Sequence, residues 1–221
     1  MPAKRAVDHD AIKAAHDYGL LPENREIFLT GCLDEEGEQG IQFLKNFRIL
    51  LAKGTAPIVV HMHSLGGDWS CGIMIRDIIA ASPVPVVLIC HGIVASMGTV
   101  IAMGCLGGRH LRVNAPSCDW MIHDGVTGIS PLLTYKAAQS TAGWEKRIWG
   151  EMVEGYVAAM QTGEYLEGAT ETKIKSFLRK QLNAKDDWWL SSEEANYYGF
   201  VDGVLGNKKF KTINDILSGL K

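Results

Sequence analysis

From Ile78 to Gly108 the chain carries no aspartate, glutamate, lysine or arginine. A stretch of that length must be buried, either in a bilayer, which needs about 20 apolar residues, or in a protein core. The run is interrupted by Pro83, Pro85, His91, Ser96 and five glycines. These breakers divide it into a short apolar strand, a turn and a small-residue helix, which is how the interior of an α/β domain reads. With 47% hydrophobic and 21% charged residues over 221 positions, the chain can build such a core as one domain.

The flanking sequence supports that class. Ile27 to Thr30 and Ile58 to His63 read as strands around a helix from Glu38 to Ala52, in which Ile41, Leu44, Phe47 and Leu51 recur at helical spacing. Cys71 to Ala81 predicts a helix, Val84 to Cys90 a strand, and Val94 to Met103 a helix. Leu111 to Val113 and Cys118 to His123 predict two more strands. Strands alternating with helices favour an α/β fold. The second half turns helical, at Leu132 to Gln161 and Glu171 to Leu182, and Ser191 with Glu194 forms a capping-box pattern before Gly199. Residues 1–26 are expected to form an N-terminal arm, partly mobile, 27–205 the domain, and 206–221 a C-terminal tail.

A net charge of −3 gives no electrostatic reason to expect nucleic acid or an anionic membrane as partner. Five widely spaced cysteines with no CxxC pair fit reduced thiols in a cytoplasmic protein better than disulfides or zinc. His61 and His63 share a strand face, but no third ligand stands at suitable spacing, so no metal is expected. Trp144 and Trp149 could line a substrate groove, though aromatics on such a helix more often pack the core or a subunit contact, and Trp188 and Trp189 are expected as shields for a neighbouring acid. Lys173 to Lys180 reads as a solvated helix face.

Chemistry concentrates at three places. Gly92-Ile93-Val94-Ala95-Ser96-Met97-Gly98 puts a serine at a helix N-terminus, where unpaired amides suit a nucleophile whose substrate becomes an oxyanion. By frequency alone, such a serine is more often a helix cap. His63-Ser64-Leu65-Gly66-Gly67 ends a strand with paired glycines that admit a ligand close to the backbone, or that merely turn the chain. Met121-Ile122-His123-Asp124 leaves a histidine at a strand end, a place held by structural histidines as well as by catalytic ones.

The order and wording of these blocks resemble the proteolytic subunits of the Clp protease (ClpP), self-compartmentalising serine peptidases of crotonase-like fold. The matching blocks are IFLTG at Ile27 to Gly31, HSLGG at His63 to Gly67, ASMG at Ala95 to Gly98, MIH at Met121 to His123, and WLSSEEANYYGFVD at Trp189 to Asp202. The resemblance implies Ser96 as nucleophile, His123 as general base, and the amides of Gly67 and Met97 as the oxyanion hole. It implies Asp187 as the acid, counted from Trp189, with Asp186 one residue out of register and Asp124 and Asp119 as further alternatives. It also implies a homo-oligomer, a heptameric ring either single or stacked in pairs as a tetradecamer, acting on peptides or unfolded proteins. No cofactor is implied in the peptidase itself, ATP entering only through a partner AAA+ unfoldase.

Two departures mark a divergent member. Leu65 stands where the family has proline, and DGVTGISPLLTYKAAQ follows His123 in place of the segment that joins two rings. A capsid-maturation protease of the same fold, or a crotonase-like acyl-thioester enzyme or scaffold, are the alternative readings.

Overall fold

The expected alternation is realised in a computed structural model that describes residues 9–107, 109–125 and 134–220. A helix α1 (His9–Tyr18) and a short strand β1 (Leu20–Leu21) precede β2 (Glu26–Leu33), α2 (Glu38–Ala52), β3 (Ile58–Gly67), α3 (Trp69–Ala80), β4 (Val86–Ala95) and α4 (Met97–Ala102). Then come β5 (Leu111–Asn114), β6 (Asp119–Ile122), the long α5 (Tyr135–Met160), α6 (Glu171–Ala184), β7 (Trp188–Leu190), α7 (Ser192–Tyr197), β8 (Gly203–Val204) and α8 (Ile213–Gly219). Among the described residues the eight strands form one sheet, ordered β1-β2-β3-β4-β5-β8, with β6 pairing β4 and β7 pairing β6.

β4 organises this sheet because it serves three neighbours. One edge pairs in parallel with β3; the other pairs with β5 over Val87 to Cys90 and with β6 over Ile93 to Ala95. Its first half is buried on both faces, which explains the uncharged sequence run. Val86, Leu88 and Cys90 join the large core that includes α2, α3 and α5. Val87 and Ile89 pack into a second cluster with Val59, Val113, Phe210 and Ile216. Burying each such aliphatic side chain contributes about 1.5–3 kcal/mol, so both faces of β4 are anchored independently. No helix among the described residues is long and apolar enough to cross a membrane.

The segments expected as arm and tail both carry structure. Within 1–26, β1 pairs antiparallel with β2, and Asn46 Nδ2 donates to the Tyr18 carbonyl at 2.7 Å, tying the end of α1 to α2; residues 1–8 lie outside the description. Within 206–221, Phe210 and α8 cover the second face of the sheet. Two boundaries also move: Val94 and Ala95 belong to β4 rather than to the following helix, because pairing with β6 holds them extended. Residues 132 and 133, expected in the long helix, lie outside the description.

The open side of β2, β3 and β4 collects histidines. His61 stacks on Phe28 with ring centres 5.0 Å apart, and its Nδ1 lies 3.0 Å from His91 Nε2. Burial, then His91, hold the His61 pKa down at about 4; burial, then His63, lower that of His91. Burial, then Arg109, lower that of His110, whose Nδ1 accepts from the Val86 amide at 3.0 Å. A folded-state pKa below the ordinary 6.5 means that the unfolded chain binds the proton more readily, so stability is full above that value and declines as pH falls towards 4. Melting temperature is therefore expected to drop as buffers go from pH 7 to pH 4.5, and His61→Phe to flatten the slope; an unchanged slope in a thermal-shift series contradicts this account.

Candidate active site

The serine and histidine are positioned by strand ends. Ala95, the last residue of β4, pairs with Met121 of β6, and the Ser96 amide extends the ladder by donating to the Met121 carbonyl at 2.8 Å. That fixes Ser96 beside the end of β6, one residue before His123. Ser96 has φ 51°, ψ −123°, a left-handed conformation that a serine adopts only under constraint, and it makes no side-chain cap bond to α4. The helix-cap reading therefore fails. Its hydroxyl points instead to His123, with Oγ 2.6 Å from Nε2.

The acid arrives through register. β7 runs antiparallel to β6 with Trp120 opposite Leu190, Met121 opposite Trp189 and Ile122 opposite Trp188. One further step along the same ladder sets His123 opposite Asp187. Asp187 Oδ1 lies 3.9 Å from His123 Nδ1, an ion-pair separation too long for a hydrogen bond, and its side chain is 51% exposed against 16% for His123. Of the alternative acids, Asp186 falls one residue off this register. Asp124 instead accepts from Trp149 Nε1 at 3.1 Å, and Asp119 lies at the far end of β6. With the proton on Nδ1, His123 Nε2 accepts from the Ser96 hydroxyl while Nδ1–H faces Asp187.

The third wall is the paired-glycine turn at the end of β3. A Cβ on Gly66, φ 94°, would lie 2.6 Å from Ser96 Cβ and 3.0 Å from the Met97 amide nitrogen, so only glycine lets the two turns approach. At Gly67, φ 127°, a Cβ would collide with the Leu33 carbonyl oxygen of β2. Gly72 on α3 faces the Met97 side chain in the same way. Met97 is the first residue of α4, so its amide has no intrahelical acceptor. Gly67, Ser96, Met97 and His123 share one cavity of ≈ 770 Å³, whose apolar wall includes Leu33, Val100, Ile148 and Met152.

Of the two places the sequence allows for Trp144 and Trp149, a groove wall or the more usual core or subunit contact, the structure shows the less common one: both line this cavity. α5 crosses over the ends of the strands rather than packing away from them, a placement that its sequence does not encode. Trp188, 2% exposed, packs edge-on to Phe200 and Tyr198, while Trp189 is half exposed. His61 and His63 stay away from this cavity, and among the described residues no group of three or more histidines, cysteines or acids is placed to hold a metal ion. Residues 126–133, within the segment that departs from the family after His123, lie outside the description. Chemically, the arrangement supplies a hydroxyl paired to a base and backbone amides beside it, the parts that acyl transfer requires.

The sheet is parallel except for the β1–β2 and β6–β7 pairs, and the site lies at the carboxyl ends of β3, β4 and β6, where open α/β sheets place their ligands. The structure of a ClpP1 mutant from Listeria monocytogenes is similar, with a TM-score of 0.68 and 23% sequence identity over 91% of this chain and 97% of that one. The family model described as Clp protease matches residues 9–208, so the chain belongs to the Clp protease family, whose members are peptidases. Among curated relatives, the ATP-dependent Clp protease proteolytic subunit of Streptococcus suis (strain 98HAH33) is 29% identical over 88% of this chain and 91% of its own length. That of Streptococcus pyogenes serotype M5 (strain Manfredo) is 28% identical over the same shares.

The β6–β7 register makes a sharp prediction about the acid. Asp187→Asn should reduce kcat of peptide hydrolysis by roughly 10²- to 10⁴-fold, the loss expected where a catalytic histidine is deprived of an orienting carboxylate, whereas Asp186→Asn should retain near wild-type turnover. The reverse ranking in steady-state assays would shift the register by one residue.

Proposed function

We propose that this chain is a serine endopeptidase that cleaves peptides or unfolded polypeptides by means of Ser96, His123 and Asp187, inside a ring-shaped homo-oligomer. The observation that carries the reading is the 2.6 Å contact between Ser96 Oγ and His123 Nε2, made by a serine held at positive φ with no structural use for its hydroxyl. An acyl-thioester enzyme of related fold would need the backbone amides but not that contact.

In this mechanism His123 Nε2 takes the Ser96 proton as Oγ attacks the scissile carbonyl, and the imidazolium returns it to the leaving amine. Asp187 keeps Nδ1 protonated and stabilises the cation. The Gly67 and Met97 amides receive the developing oxyanion, each such donor being worth on the order of 10²- to 10³-fold in kcat. Water, deprotonated by His123, then releases the acyl group. The apolar lining of the cavity suits a large hydrophobic substrate side chain next to the cleaved bond.

The assembly reading rests on the family and on two different exposed apolar surfaces. α2 presents Ile41, Leu44 and Ile49, while β2 and β3 present Phe28 and Leu65. Two unlike patches suit head-to-tail contacts, which close into a ring when the rotation permits, here a heptamer, single or stacked as a tetradecamer. The relatives' description as ATP-dependent supports an AAA+ unfoldase as the partner that feeds substrate, with ATP bound by that partner. Five unpaired cysteines agree with work in the cytoplasm.

A serine-directed fluorophosphonate should label Ser96, and Ser96→Ala should abolish labelling and lower peptide hydrolysis by about 10³-fold or more. Electron micrographs of both proteins should show the same sevenfold rings. Turnover persisting in Ser96→Ala moves the nucleophile elsewhere, and an active monomer overturns the compartment.

A further inference from the structure

The left-handed backbone at Ser96 needs an external brace, and one side of it is already accounted for. Its amide is fixed by the Met121 carbonyl. On the other side, the Ser96 carbonyl accepts twice from Thr99, from its amide at 2.9 Å and from its hydroxyl Oγ1 at 2.6 Å. Thr99 Oγ1 in turn lies 2.5 Å from the phenolic oxygen of Tyr156. A threonine hydroxyl has one proton, and here it is committed to the Ser96 carbonyl, so Tyr156 O–H must be the donor. The polarity of the chain is thus fixed: Tyr156 O–H to Thr99 Oγ1, Thr99 O–H to Ser96 C=O.

Thr99 and Tyr156 are 0% and 1% exposed, and the Tyr156 ring stands edge-on to Phe200 with centres 5.8 Å apart. Burial raises the Tyr156 pKa, so the phenol stays protonated and remains a donor. A buried, fully paired hydroxyl relay of this kind rigidifies what it touches, because breaking any link strands a desolvated polar group. Tyr156 also lines the cavity that holds Ser96, and it belongs to α5, the helix whose Trp149 grips Asp124 next to His123. α5 therefore holds the loops of both reacting side chains from one rigid element.

We propose that Tyr156 and Thr99 are positioning residues that lock the strained Ser96 backbone, so that acylation depends on how α5 is seated. The inference rests on Ser96 being the nucleophile and adds that its alignment is set by a helix remote from it in sequence. Neither residue touches the reacting atoms; both act through the Ser96 carbonyl.

The test measures the second-order rate of labelling by a small fluorophosphonate in the full-length chain, with folded fraction read from near-ultraviolet circular dichroism. Tyr156→Phe removes the outer link and Thr99→Val both side-chain links while keeping shape, and each should slow labelling by about 10- to 100-fold, the range expected when a nucleophile is displaced by about 1 Å. Thr99→Ser keeps the hydroxyl and should recover most of the rate. In peptide hydrolysis the loss should fall on kcat, with KM little changed. Equal labelling of wild type, Tyr156→Phe and Thr99→Val overturns the relay alone, as does a loss no larger than the loss of folded protein, or a Thr99→Ser variant as slow as Thr99→Val. Failure of the wild type to label at Ser96 overturns the nucleophile reading and the relay together.

Discussion

The hydrogen bond from the Ser96 amide to the Met121 carbonyl ties the start of the β4–α4 turn to the end of β6. It is the last rung of the β4–β6 ladder, and everything at the site follows from where that ladder stops. Because β4 is shared among β3, β5 and β6, its end cannot shift without disturbing three pairings at once. The serine leaves the sheet at this point in a conformation that local sterics oppose, and the surrounding pairings hold it there. The histidine leaves β6 one step further on, and the aspartate precedes β7 by the same step in the antiparallel register. Three residues distant in sequence are thus placed by backbone hydrogen bonds rather than by contacts between their own side chains.

Much of this geometry was legible beforehand because it depends on local signals. A long uncharged run with turn residues inside it leaves few alternatives to buried parallel strands, and the two faces of β4 are buried as that run requires. Ser96, His123 and the paired glycines stand at strand ends, where period and breakers locate them well. The capping box at Ser191 and Glu194 forms as its spacing predicts, and Gly199 follows with φ 86°.

What the sequence concealed is set by long-range packing. The end of β4 was placed too early because Val94 and Ala95 suit a small-residue helix as well as a strand, and only pairing with Trp120 and Met121 decides between them. The strands β7 and β8, three and two residues long, carry no periodic signal of their own. The helices near both termini were missed: α1 buries none of its residues, and α8 buries only Ile216. The pairing of Thr99 with Tyr156 spans 57 positions, and nothing in either local pattern distinguishes it from ordinary core packing. Trp149 beside Asp124 was invisible for the same reason.

The distribution of thiols has a practical corollary. Cys71, Cys90, Cys105 and Cys118 are buried and only Cys32 is exposed. Burial pushes Cys105 and Cys118 up to about 12 and Cys90 well above its ordinary value, which keeps all three as unreactive thiols at neutral pH. The native chain therefore offers one accessible attachment point for a maleimide dye, on β2 next to Leu33, a residue of the cavity wall. A reporter there needs no cysteine-free background and would sit on the exposed face of β2 that carries Phe28, opposite the face on which Leu33 is buried.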